Sequence, residues 1–164
     1  PDATAENPTV ARGWQCALTV PRELSMRDGK LCQQPAHEIE RMRGDCVRAT
    51  GGETVEEPGR LFDLVVSCEG AKMVELEIRK GVFVRYTDGM LTLDMGDEGY
   101  GRDQRLIELS ELRDLRVLSD TTMVEIFANG GEAALTSRTY SSAVPAMALH
   151  AEGAASMDFY RLAH

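Results

Sequence analysis

At 164 residues, the chain is long enough for one domain with a real core and too short for two well-built ones. Its 27 carboxylates outnumber its 18 Lys and Arg, for a net charge of −9, and the scattered basic residues exclude a nucleic-acid interface, which needs them clustered. No apolar run approaches the length of a membrane span, so no membrane partner is expected; the N-terminus also lacks a basic region followed by an apolar one, which carries no weight if the protein begins elsewhere.

Residues 1–13 are rich in Pro, Ala, Thr and polar groups without periodicity, and read as an extended arm or the remnant of a link to another domain. The alternation of Trp14, Cys16, Leu18 and Val20 predicts a strand with one apolar face, which Pro21 ends. Asp28-Gly29 is a turn, with a short return strand over 30–33. Pro35 to Arg43 carries a helix pattern, with Pro in the first turn, Glu38 and Glu40 early and Arg41 and Arg43 late. An extended crossing between two sheets is the alternative there. A brief strand around Cys46 to Ala49 follows, between glycines.

From Arg60 the pattern is uniformly β. Strands are predicted over 61–67, 73–79, 82–87, 90–94, 105–109, 115–118, 123–128, 133–139, 146–151 and 157–162, with an exposed loop over 97–103. Short strands at intervals of about ten residues, with no long helices between them, argue an all-β fold. The expected architecture is an antiparallel two-sheet β-sandwich of jelly-roll or concanavalin-like type over residues 14–164, with one short helix at most.

Asn129-Gly130 and Gly130-Gly131 can each form the two-residue loop of a hairpin. The first choice sets Ile126 against Ala133 and the second sets it against Leu135; both leave one face mainly apolar and the other carrying Glu125, Phe127, Thr136 and Arg138. Glu125 and Arg138 are expected to share an ion pair or polar network that locks this hairpin. Asp120 should tighten the preceding corner through an Asx-type hydrogen bond.

The run Asp120, Val124-Glu125-Ile126-Phe127, Asn129, Gly131-Glu132 and Thr136-Ser137-Arg138 resembles the C-terminal β-sandwich of glycoside hydrolase family 32, the invertases, sucrose-6-phosphate hydrolases, levanases and inulinases. A second segment agrees upstream: Gly13-Trp14, Leu18 to Ser25, Asp28 to Leu31 and Gln34-Pro35. The resemblance covers nearly the whole chain from Trp14, though Gly130 replaces an acidic residue that many members carry. It implies that Trp14 and Arg22 lie near the join with a catalytic five-bladed β-propeller at the N-terminal side of the same chain. Trp14, Arg22, Glu125, Asn129 and Arg138 are therefore the structural and interface candidates.

The family's catalysis uses two carboxylates, in Asn-Asp-Pro and Glu-Cys motifs, with an Arg-Asp-Pro motif gripping the sugar. None of the three motifs occurs here, so no catalytic residue is carried over. Cys16, Cys32, Cys46 and Cys68 are widely spaced, without a Cys-x-x-Cys pair, and predict no zinc site; reduced thiols in a cytoplasmic protein are expected, three of the four in apolar, strand-like surroundings. His37 and His150 read as surface histidines, and the Glu75 and Glu77 pair as a solvent face. What the resemblance implies is a non-catalytic module of a β-fructofuranosidase-type hydrolase acting on sucrose, sucrose 6-phosphate or fructans, with no cofactor, supporting the propeller and in some members forming dimer contacts. A standalone carbohydrate-binding module is the alternative, disfavoured by an aromatic content of 5% and a single Trp.

Overall fold

The computed structural model describes residues 7–163; residues 1–6, half of the expected arm, and His164 lie outside the described residues. Fourteen strands follow one another: β1 (Arg22–Arg27), β2 (Lys30–Pro35), β3 (Arg43–Thr50), β4 (Thr54–Glu56), β5 (Phe62–Ser67), β6 (Met73–Arg79), β7 (Val82–Thr87), β8 (Met90–Asp94), β9 (Gln104–Glu108), β10 (Asp114–Ser119), β11 (Met123–Ala128), β12 (Ala133–Arg138), β13 (Ala146–Glu152) and β14 (Ser156–Leu162). The remaining regular elements among the described residues are 3-10 turns at Pro8–Arg12, His37–Met42 and Gly96–Gly99.

Two six-stranded antiparallel sheets, ordered β12-β11-β10-β5-β14-β3 and β4-β13-β6-β7-β8-β9, stack as a β-sandwich. Strict alternation builds the core. Phe62, Leu64 and Val66 of β5, Val117 of β10 and Ile126 of β11 point inward from the first sheet, and meet Val74, Leu76 and Ile78 of β6, Val84 of β7 and Leu91 and Leu93 of β8. Phe62 and Phe159 pack at 5.4 Å between ring centroids across the adjacent strands β5 and β14.

The hairpin takes the register centred on Gly130-Gly131: Ile126 lies opposite Leu135 and Val124 opposite Ser137. Asn129, Gly130 and Gly131 all have positive φ, at 52°, 63° and 89°. The Asp120 corner closes as expected, its Oδ1 accepting the Thr122 N–H at 2.9 Å.

Several expectations fail in the N-terminal third. Residues 8–12, expected to be extended, form a 3-10 turn with Thr9 buried. Residues 14–19 join no ladder, and Leu18 is 94% exposed; the first strand is instead Arg22–Arg27, because Asp28-Gly29 takes positive φ at both positions and pairs β1 with β2 in an isolated two-stranded ribbon. The helix pattern at 35–43 yields only the 3-10 turn His37–Met42, which has no side-chain cap and buries no residue fully, so nothing pays for an α-helix there. Cys32 and Cys68 are buried, but Cys16 and Cys46 are exposed, the first on the unpaired stretch and the second on the edge strand β3.

Candidate functional site

The outer face of the first sheet is unusual for a solvent face. Its pleat directs Asp63 of β5, Leu118 of β10, and Glu125 and Phe127 of β11 away from the core, yet all four are buried. The chain's own N-terminal third covers them.

Arg22, at the start of β1, makes the central link. Its Nη2 donates to Glu125 Oε2 at 2.5 Å and to Thr136 Oγ1 at 2.8 Å, its Nη1 to Gln33 Oε1 at 3.0 Å, and its guanidinium stands 5.1 Å from the Phe127 ring centroid. Glu125 Oε1 accepts the Val20 N–H at 2.7 Å, which is how residue 20 is tied without a strand partner. Both carboxylate oxygens are thus engaged, in a side chain only 4% exposed.

The ribbon also docks through its second strand. Gln33 N–H donates to the Gly131 carbonyl at 2.9 Å, Gln34 Nε2 donates to the Gly130 carbonyl at 2.7 Å, and Lys30 pairs with Glu132. A Cβ at Gly131 would overlap the Gln33 backbone, so glycine is required there both by its φ and by this approach.

A second buried carboxylate lies two strands away. Asp63, fully buried, accepts from Arg116 Nε at 3.0 Å and Nη2 at 2.7 Å, and from Arg43 Nε at 2.7 Å. Arg43 in turn stands 4.4 Å over the Tyr160 ring. At the far edge, Arg138 donates to the Gln15 carbonyl and lies between Trp14, at 5.2 Å, and Tyr140, at 5.3 Å.

The five candidates of the sequence therefore separate into three places. Arg22 and Glu125 form one clamp; Trp14 and Arg138 form another at the sheet edge. Asn129 belongs to neither: buried, it accepts from Arg113 N–H at 2.8 Å and donates to the Glu111 carbonyl at 2.9 Å, bracing the loop before β10. Glu125 and Arg138 lie diagonally, opposite Thr136 and Met123, but do not pair with each other as expected, because the N-terminal segment engages both: Glu125 takes the Arg22 guanidinium and Arg138 the Gln15 carbonyl. Asp63, Arg43 and Arg116 were missed, although an acid inside the apolar run 61–66 was the available signal. Asp63 and Glu125 are filled by guanidinium and amide donors, so this arrangement holds chain segments together rather than presenting a reactive carboxylate.

Elsewhere, Glu75 Oε2 accepts from Arg85 Nε at 2.6 Å and Glu77 Oε1 from the Gly81 N–H at 2.9 Å. His37 Nδ1 lies 2.6 Å from Glu23 Oε1, both side chains being exposed. This bond, with the nearby charge of Glu38, raises the His37 pKa, and the same bond lowers that of Glu23.

What stays uncovered is informative. Of ten large apolar side chains exposed among the described residues, eight lie before residue 48, with Tyr100 and Leu106 the exceptions. Leu24 (65%), Met26 (68%) and Leu31 (53%) share one face of the ribbon, since Met26 pairs with Leu31 and Leu24 with Gln33.

Comparison with known proteins agrees with this architecture. Residues 72–162 match the family described as glycosyl hydrolases family 32 C terminal. The chain is 36% identical over 154 residues to the raffinose invertase of Escherichia coli, covering 83% of this chain and 32% of that protein. It is 30% identical over 142 residues to the sucrose-6-phosphate hydrolase of Salmonella typhimurium, covering 81% and 28%. Among solved structures, a sucrose-6-phosphate hydrolase from Lactobacillus gasseri superposes with a TM-score of 0.84 at 19% identity, covering 98% of this chain and 37% of that one. An exo-inulinase from Aspergillus awamori gives 0.76 at 20%, covering 99% and 38%. The chain spans about a third of the length of the curated relatives it matches.

Proposed function

We propose, from the premise that this chain belongs to the C-terminal domains of the family 32 glycosyl hydrolases, that it acts as a non-catalytic support seated against a larger catalytic region of the same protein. By the names of its relatives, the whole protein would hydrolyse β-fructofuranosyl bonds in sucrose, sucrose 6-phosphate or fructans, with the reacting carboxylates in a five-bladed propeller. Residues 14–164 would be the supporting module, and the preceding residues its link.

The observation that carries this reading is the ribbon β1–β2. A two-stranded ribbon is marginal alone. Here the face carrying Arg27, Lys30, Cys32 and Gln34 is fastened to the sandwich at Gly130 and Glu132, while the other face presents Leu24, Met26 and Leu31 to solvent and ends in Arg22 and Gln33. Elsewhere on the same N-terminal third, a groove of about 290 Å³ is lined by Leu18, Val20, Ile39, Met42, Leu118 and Met123. Exposed apolar surface of this kind marks an interface, and inter-domain contacts within one chain are of this character.

Co-expression of this chain with a family 32 catalytic region tests the reading. Recovery of a complex with fructoside-hydrolysing activity supports it; a catalytic region equally soluble and active without the chain contradicts it.

A further inference from the structure

Three of the chain's five Trp and Tyr residues gather at one corner of the sandwich, despite the overall scarcity of aromatics. Trp14, Tyr100 and Tyr140 line a cleft of about 290 Å³ together with Arg12, Arg60 and Thr122. The cleft lies at the bottom of the usual size range for small-molecule sites, with room for one sugar residue. Its aromatic wall is braced from behind: Tyr100 meets Tyr140 edge-on at 5.5 Å, and the Arg138 guanidinium packs on both Trp14 and Tyr140. Trp14 nevertheless keeps 40% of its surface exposed and Tyr100 38%. A braced, partly open indole is the surface on which the C–H face of a sugar ring stacks.

The chain carries −9, yet among the described residues no Asp or Glu lines this cleft. The nearest acid in sequence, Asp120, turns one carboxylate oxygen to the Thr122 N–H. Arg22, Arg43 and Arg116 all engage carboxylates. By contrast, the side chains of Arg12 and Arg60 have no hydrogen-bond or ion-pair partner among the described residues. Two exposed guanidiniums without a partner among the described residues, beside an aromatic cleft, suit an anionic group, and phosphate takes the forked donors of Arg better than those of any other side chain.

We infer that this corner cleft binds a phosphorylated sugar, with the ring stacked on Trp14 and the phosphate held by Arg12 and Arg60. The inference goes beyond the supporting role: it uses none of Leu24, Met26 or Leu31, and since Arg12 and Trp14 stand where the link meets the module, it concerns the cleft as this chain presents it without a catalytic region. A neutral sugar would leave both guanidiniums unmatched, and phosphate alone would leave the aromatic wall unused.

Trp14 is the sole Trp in the sequence, so its emission reports the site directly. Glucose 6-phosphate, fructose 6-phosphate, glucose, inorganic phosphate and AMP would each be titrated into the full chain, followed by Trp14 emission and by calorimetry. The expected result is saturable binding of a sugar phosphate with a change in emission, at least about ten-fold tighter than glucose or inorganic phosphate. Arg12→Gln and Arg60→Gln, both at exposed positions, should each weaken it about ten-fold while the circular dichroism spectrum stays unchanged. The inference is overturned if neither sugar phosphate binds, if binding leaves Trp14 emission unmoved, if inorganic phosphate or AMP binds as tightly, or if both arginine variants bind as the parent does.

Discussion

The backbone of Gln33 rests directly on Gly131: its N–H donates to the Gly131 carbonyl at 2.9 Å, and no space remains for a side chain at 131. Two segments almost a hundred residues apart in sequence are joined here through bare backbone. This contact fixes how the apolar ribbon is presented.

Gly131→Ala should therefore undock the ribbon. The φ of 89° and the overlap with the Gln33 backbone act together, at a cost of about 3 kcal/mol. Gly130→Ala is the control. Its Cβ would meet the end of the flexible Arg27 side chain, which can move, so a loss of about 1 kcal/mol is expected. Thermal denaturation of both variants, with hydrogen exchange at 22–35, checks the difference.

Arg22→Ala leaves the 4%-exposed Glu125 carboxylate with only the Val20 N–H, and should cost about 3 kcal/mol. Glu125→Gln keeps the shape and an acceptor, and should cost less than half as much. Urea unfolding of the two variants ranks them; equal losses would mean that the clamp is not the fastening.

At the other end of the sandwich Arg79 is fully buried, its guanidinium ringed by Ser119 Oγ at 3.0 Å and by the carbonyls of Ser141 at 3.0 Å, Arg60 at 3.2 Å and Asp120. Burial, reinforced by the charge of Arg60 and opposed by that of Asp120, pulls its pKa down to about 10. Arg79→Met would strand these acceptors, at an expected cost of about 3 kcal/mol read as a lowered unfolding midpoint. Arg79→Lys should recover part of that loss.

The His37–Glu23 bond gives a pH signature. The raised His37 value means that its contribution is complete below the ordinary 6.5 and fades as pH rises through the higher folded value. The lowered Glu23 value means that its contribution is complete above the ordinary 4.5 and fades as pH falls through the lower folded value. The pair is whole between those limits. An NMR titration of His37 should show a midpoint above 6.5 that moves down in Glu23→Gln; an unchanged midpoint would contradict the contact.

Thiol chemistry follows burial. Cys16 and Cys46 should react quickly with an aromatic disulfide reagent, whereas Cys32 and Cys68 should react only on unfolding. Burial, with the charge of Asp114, pushes the Cys68 thiol up to about 12, which reinforces its protection.

Much of the sandwich is legible in the sequence because its strands bury one face each. β6, β7, β8 and β11 fall on their expected residues, since alternation reports a one-sided core directly. The same signal misleads at Trp14 to Val20, where the alternating apolar residues join no ladder: Leu18 stays exposed, and the Val20 N–H goes to a side chain. β4 escaped notice because three residues among Gly and Glu carry too little pattern. The candidate face was only half legible. Arg22 and Glu125 stood out individually, but a bond across 103 residues has no local trace, and nothing in the sequence around Arg79, the last residue of β6, signals its burial.

The most direct test of the supporting role is the affinity of this chain for a family 32 catalytic region, measured by calorimetry for the parent chain and for a Leu24→Glu, Met26→Glu double variant. Both side chains are exposed on the ribbon, so the variant should fold with an unchanged unfolding midpoint. The account predicts a stable complex that the double variant weakens at least about a hundred-fold, as expected when charges enter an apolar interface core. No complex with the parent chain, or equal affinity for the variant, would contradict it.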